Sequence, residues 1–98
     1  MMAVKVEQPA PDRICLSGDL VFATVLEARR ELLKRLAQCE GVCQVDWSGV
    51  QRVDSSALSL WLSCLRFAAE RQQTLTLVNP PEDFASIAGL VGLAEALA

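Results

Sequence analysis

Segments of strand period and helix period alternate along 98 residues, which predicts a single α/β domain of about four strands and three helices. Three observations carry this reading. Short runs alternate apolar and polar residues, as in Val4-Lys5-Val6-Glu7. Longer runs repeat apolar residues at helical spacing, as in Leu58 to Ala69. Capping or breaking residues stand where one period gives way to the other.

Val4 and Val6 mark the first strand, which Pro9 and Pro11 are expected to end. Arg13 to Ser17 alternates again, with Ile14 and Leu16 on one face and Cys15 on the other. Ser17-Gly18-Asp19 then reads as a turn. Thr24-Val25-Leu26-Glu27 fits a capping box opening a helix that runs to about Gln38. Its apolar stripe is Val25, Ala28, Leu32 and Leu36, widened by Leu33. Arg29 falls inside this arc and is expected to lay its stem along the core edge. Glu40-Gly41 reads as the end of the helix.

Val42 to Trp47 forms a third strand, with Val45 and Trp47 on one face. Ser48-Gly49 is expected to open a loop carrying Val50 and Val53 to Asp54-Ser55-Ser56. The second helix covers about Ser56 to Arg71, and Leu75 to Val78 is a fourth strand. Asn79-Pro80-Pro81-Glu82 breaks that strand, and Pro81 suits the first turn of a third helix holding Phe84, Ile87, Ala88 and Val91. The connections from Trp47 onward are long enough for right-handed crossovers between parallel strands. No repeat, linker or low-complexity stretch divides the chain, so residues 1–98 read as one domain.

Composition narrows the function. The net charge is −3 and no Lys/Arg cluster forms a phosphate-backbone footprint, which speaks against nucleic acid as a partner. The hydrophobic fraction of 52% is high for a soluble domain and hints at apolar surface meant for a partner. The four cysteines, Cys15, Cys39, Cys43 and Cys64, form no C-x-x-C, and there is no histidine, so a zinc site is not expected. Small buried thiols are the plain reading of Cys15 and Cys64. Met1 to Gln8 is too short and too polar for a signal peptide, and no apolar run approaches the ~18 residues of a membrane span. The reducing cytoplasm is the expected compartment.

The most informative stretch is Val53-Asp54-Ser55-Ser56-Ala57-Leu58, an acid and two hydroxyls where an extended segment becomes a helix. Ser55 or Ser56 is expected as the N-cap, accepting from a free amide of the first turn. The same place gathers amide donors and the positive end of the helix dipole. A phosphate on either serine would be well placed there and would add roughly −1.5 to −2 charge. Capping alone and modification both remain open at this point.

On a wheel of about 100° per residue, the second helix has three sectors. Leu58, Trp61, Leu62, Leu65 and Ala69 form the expected core stripe. Ser59, Ser63, Arg66 and Glu70 form a polar strip in line with Ser55. Beyond it lie Leu60, Cys64 and Phe67, where an ordinary surface helix would be charged. These are either buried against a neighbouring helix or an apolar ridge awaiting a partner. Leu60 and Phe67 are then candidate anchors, with Asp54, Ser55, Ser56, Ser59 and Ser63 as small polar contacts.

Catalysis finds little support. There is no His and no Tyr, and no thiol stands beside a base. Glu27, Glu31 and Glu70 read as solvated helix faces, and Asp46 as a strand-end residue able to orient a loop. Asp54 beside Ser55 and Ser56 is not a nucleophile–base arrangement, because a carboxylate alone activates a serine hydroxyl poorly. The five glycines form neither G-x-x-x-x-G-K nor G-x-G-x-x-G, so no nucleotide cradle and no cofactor is expected.

Several segments together resemble a STAS domain, the module of anti-sigma-factor antagonists and sulfate transporters. They are Ile14-Cys15-Leu16-Ser17-Gly18-Asp19-Leu20, Val45-Asp46-Trp47-Ser48, Val53 to Leu58, and Leu75-Thr76-Leu77-Val78-Asn79 with the Phe84 helix. The resemblance implies a four-stranded mixed sheet with helices packed mainly against one face. It also implies a working surface at the loop and helix start of Asp54 to Ser56. Two branches compete. In anti-sigma-factor antagonists a partner kinase phosphorylates a hydroxyl that Ser56 matches, although Ala57 stands here in place of that branch's glycine. The other branch resembles the MlaB-type STAS subunit of the Mla phospholipid-transport ABC complex. The chain is similar to it at Leu16 to Leu20, at Ser48 to Leu62 and in the tail from Ile87. That likeness implies contact between the helix start and an ABC ATPase subunit, a residue matching Ser55 taking part. It also implies a place in the cytoplasm, at the inner membrane through the partner complex. The MlaB-type branch is favoured.

Purified protein is expected to release no phosphate from ATP or GTP. A rate that disappears on mutating one of its own residues would overturn this expectation.

Overall fold

The computed structural model describes the backbone of residues 2–90 and the side chains of residues 2–86. The elements follow the order β1 (Lys5–Ala10), β2 (Arg13–Leu20), α1 (Val25–Leu36), β3 (Val42–Val53), α2 (Ser55–Glu70), β4 (Thr74–Val78) and α3 (Glu82–Leu90). The sheet order is β1-β2-β3-β4. β1 pairs antiparallel to β2, while β2, β3 and β4 run parallel to one another. The sheet is therefore mixed, and α1 and α2 are the crossovers that parallel neighbours require. The expected inward side chains of Ile87, Ala88 and Val91, and the tail to Ala98, lie outside the described residues.

The core lies on one face of the sheet. Ile14, Leu16 and Leu20 of β2 and Cys43, Val45 and Trp47 of β3 meet Ala28, Leu32 and Leu36 of α1 and Ala57, Leu60, Trp61 and Cys64 of α2. Trp47 joins three elements. Its ring meets Trp61 of α2 edge-on at 5.9 Å and Phe84 of α3 at 4.6 Å. Aromatic pairs of this kind add about 0.5–1.5 kcal/mol to the area they bury. The other face carries Arg13, Gln44, Ser48, Thr74 and Thr76, all partly or fully exposed.

Several elements differ from the expectation for definite reasons. β1 does not stop at Pro9 but continues to Ala10. It is an edge strand whose register shifts between Glu7 and Ala10, and an edge or a bulge tolerates the missing amide of proline. Ser17-Gly18-Asp19 is not a turn. β2 runs through it with irregular register against β3, and Gly18 takes φ +91. A Cβ there would stand 2.1 Å from the Ala3 carbonyl oxygen. Ser48-Gly49 is likewise strand, since β3 is unbroken from Val42 to Val53. Gly49 pairs with Ser17, where an added Cβ would meet the Ser17 Cβ at 2.8 Å. Glycine marks close backbone approach at both positions.

α1 ends at Leu36, short of Glu40-Gly41, and Gly41 with φ +71 instead turns the chain into β3. Thr24 is the N-cap residue of α1, yet the capping box does not form. Its hydroxyl accepts from the Val21 amide at 3.1 Å and donates to the Asp19 carbonyl at 2.6 Å, bracing the β2–α1 loop. The stripe expected on α1 is present: Ala28, Leu32 and Leu36 are buried and Val25 and Leu33 half-buried.

The buried face of α2 is rotated from the one expected. Ala57, Leu58, Leu60, Trp61, Cys64 and Ala68 are buried, Leu62 and Leu65 are half-buried, and Ala69 is exposed. α2 packs beside α1 as well as over the sheet, so two sectors of its circumference meet other elements. Leu60, offered above as a surface anchor, is 1% exposed and belongs to the core.

Leu60→Ala is expected to lower stability by about 2–5 kcal/mol. Leu26→Ala, at an exposed site, should stay within about 0.5 kcal/mol. Urea unfolding of the two variants checks the difference.

Candidate functional site

β2 and β3 are parallel, so Leu20 and Val53 finish at the same end of the sheet, and α1 and α2 begin there. The Asp54 amide donates to the Leu20 carbonyl at 3.3 Å, which draws the two connections together. Asp54 is extended, with φ −132 and ψ −169, and it is the N-cap of α2. The cap is thus Asp54, not Ser55 or Ser56. An acid that precedes the first turn can reach the free amides while its own backbone still belongs to the strand.

The Asp54 carboxylate joins two elements. Oδ1 accepts from the Ser56 amide at 2.8 Å, and Oδ2 accepts from the Phe22 amide at 3.0 Å. Burial opposes ionisation of this group. The amides of Phe22 and Ser56, with the Ser56 side chain, outweigh that effect and hold the carboxyl below its ordinary value. The positive end of α2 favours the charge further. Ser56 is half-buried and turned toward Asp54, whereas Ser55 is exposed. Ser59 is exposed and Ser63 half-buried along the same strip. Phe67 is half-buried, and the Arg71 guanidinium stands 5.2 Å from its ring centre. Asp54, Ser55, Ser56, Ser59 and Ser63 therefore share one face. Phe67 edges it, and Leu60 lies beneath it.

Two residues that the sequence reading missed stand out here. Phe22 is 84% exposed and Leu26 is 76% exposed. The Phe22–Asp54 bond fixes the first beside the start of α2. Leu26 was visible as an apolar residue off the α1 stripe, but nothing in the local pattern marks Phe22. Further along, α1 and α2 enclose a groove of about 260 Å³ lined by Arg29, Leu33, Ser63, Arg66, Phe67 and Glu70. Arg29 is exposed at its rim.

Asp46 lies within β3 on the opposite, open face of the sheet. Oδ1 accepts from the Ser48 amide at 2.9 Å and from Asn79 Nδ2 at 3.4 Å, and Oδ2 pairs with Arg13. The Ser48 amide is the main reason its carboxyl is held below the ordinary value. This group ties β2, β3 and the end of β4, a structural task remote from the serines. Among the described residues, no cluster of three His, Cys, Asp or Glu side chains is placed to hold a metal ion.

The sheet end of this small α/β domain thus carries small hydroxyl residues beside exposed apolar side chains. Comparison with known proteins gives the family. The family model described as "Mlab, STAS domain" matches residues 4–98, so the chain belongs to that STAS family. No curated protein matches. Among solved structures, the anti-sigma factor antagonist SpoIIAA in its unphosphorylated form superposes with a TM-score of 0.72 at 21% identity, over 95% of this chain and 84% of that one. The Bacillus cell fate determinant SpoIIAA in its phosphorylated form gives 0.67 at 21% identity, over 95% and 86%. At this identity the likeness concerns the fold. STAS domains are protein-interaction modules, and the family is one of non-catalytic regulatory proteins.

Asp54→Ala is expected to cost about 0.5–2 kcal/mol through loss of the cap. Acid should have a related effect. Asp54 and Asp46 are both depressed in the folded state, so their contributions are complete above the unfolded value of about 4 and are lost as pH falls through the lower folded values. Asp54→Asn keeps an acceptor for the Ser56 amide but cannot ionise, and should flatten part of this acid dependence. Urea midpoints measured between about pH 7 and pH 2 test it.

Proposed function

We propose that this protein is a non-catalytic STAS subunit that binds the ATPase of an Mla-type ABC phospholipid transporter and regulates or stabilises it. The observation that carries the reading is the MlaB-type family match over residues 4–98. The form of the α2 start supports it. Ser55 and Ser59 are small enough to let another chain come close, and Phe22 and Leu26 present apolar area at the same edge. Asp54, Ser56, Ser63 and Phe67 complete the proposed contact surface. No helix among the described residues is long and apolar enough to cross a membrane, so the proposed place at the inner membrane comes through the partner complex.

A second reading is an anti-sigma-factor antagonist controlled by serine phosphorylation. The paired hydroxyls at a helix start favour it, and SpoIIAA, similar in fold, has a phosphorylated form. Ser56 matches the modified position of that branch, while Ser55 is the more exposed of the two. A phosphate on either would lie beside the Asp54 carboxylate and change the charge of the whole contact surface.

Co-purification with the ABC ATPase subunit tests the first reading. Ser55→Arg should abolish capture while leaving the melting curve within a few degrees of wild type, because the side chain points to solvent. Phe22→Ala should weaken binding by about thirtyfold if Phe22 is a hot spot worth about 2 kcal/mol. Equal capture of wild type and both variants would remove this surface from the interface. Mass spectrometry of protein from its native cells tests the second reading, which predicts a phosphopeptide at Ser56 or Ser55.

A further inference from the structure

The end of the sheet opposite Asp54 brings two thiols together. Cys39 lies in the five-residue connection 37–41 between α1 and β3, and Cys43 is the second residue of β3. Both are buried, and their Sγ atoms are 3.1 Å apart. That is about 1 Å beyond the ~2.05 Å of a disulfide bond. Cys39 Sγ also accepts from Gln8 Nε2 at 3.4 Å. Its carbonyl accepts from Gln73 Nε2 at 3.2 Å and Arg71 Nη2 at 3.5 Å, and its amide donates to the Leu36 carbonyl at 3.1 Å. The backbone that holds this sulfur is therefore bonded to the α2–β4 connection and the end of α1, and the sulfur itself to β1. Between the two cysteines, Gly41 at φ +71 has open space around it, a joint that can absorb a small adjustment.

Neither of the other cysteines has such a neighbour. Cys64 is buried on α2, and Cys15 is half-buried in β2. The sulfur–sulfur contact belongs to Cys39 and Cys43 alone among the described residues.

We propose that Cys39 and Cys43 form an oxidisable dithiol, which a small peroxide closes into an intramolecular disulfide across the α1–β3 junction. Peroxide first transfers one oxygen to the Cys39 sulfur, giving a sulfenic acid and one water. The Cys43 sulfur then displaces that oxygen, which leaves as a second water carrying the Cys43 proton. Two thiols and one hydrogen peroxide thus give one disulfide and two waters. The order of the steps follows from position. Cys39 sits in a connection outside the strands, whereas Cys43 lies within the β3 ladder. Burial and the neighbouring Cys39 sulfur also push the Cys43 thiol up to about 12, which disfavours it as the first sulfur to meet peroxide. The bond would tie the α1–β3 connection to the start of β3, at the end of the sheet opposite Asp54.

Peptide mass spectrometry tests this on the whole folded protein. Cleavage after Arg35 and Arg52 places both thiols in one peptide, residues 36–52. After mild hydrogen peroxide, followed by unfolding and alkylation without reductant, that peptide should lack two hydrogens and carry no alkyl group. Reductant should restore two alkylation sites. In Cys43→Ser the two-hydrogen loss should vanish, leaving Cys39 alkylated or oxygenated. The proposal is overturned if both thiols of the wild type remain alkylatable while Cys15 is oxidised. It is equally overturned if the disulfides found join Cys39 or Cys43 to Cys15, Cys64 or a second chain.

Discussion

One carboxylate organises the end of the sheet where α1 and α2 begin. Asp54 receives the Ser56 amide on one oxygen and the Phe22 amide on the other. The first bond starts α2, and the second holds the β2–α1 connection against it. Both amides would otherwise lack an acceptor inside the protein, and both favour the ionised acid. The same charge therefore sets the direction of a helix, the position of an exposed aromatic ring and the setting of two serines.

This arrangement depends on where the strands end. β2 and β3 must run side by side as far as Leu20 and Val53 for their connections to meet. Gly18 and Gly49 make that possible, since each lies where a side chain would strike backbone or a neighbouring Cβ. Close approach of β1, β2 and β3 is maintained through an irregular register that a substituted residue would not permit. The one-sided core then places α1 and α2 next to each other. Trp47 binds β3 to α2 and α3 through its two aromatic neighbours.

The two ends of the sheet have different characters. One presents hydroxyls, an acid held below its ordinary value and exposed apolar side chains. The other closes over a pair of thiols and a set of side-chain amide and guanidinium bonds to the chain that leaves α1. The open face between them is held by Asp46 and Arg13, with Ser48 and Asn79 as further donors to the same carboxylate.

Much of the architecture was legible in the residue order. The alternation of Val4 and Val6, the stripe of Ala28, Leu32 and Leu36, and the breaks at Gly41 and Pro80-Pro81 are local patterns, and local patterns report which face of an element is apolar. They placed four strands, three helices and the serine turn correctly. They misread Ser17-Gly18-Asp19 and Ser48-Gly49, because a glycine demanded by close approach looks in sequence like one demanded by a turn. They also left open whether Leu60 and Cys64 faced a partner or the core. A helical wheel counts apolar sectors but not neighbours, and only the packing of α1 beside α2 buried both. The placing of Phe22 beside the start of α2 was decided by a bond between residues 32 apart in the chain. Sequence determined the elements and the chemistry available at the turn. Tertiary structure decided which of those groups meet, since that depends on strand ends that only the folded sheet brings together.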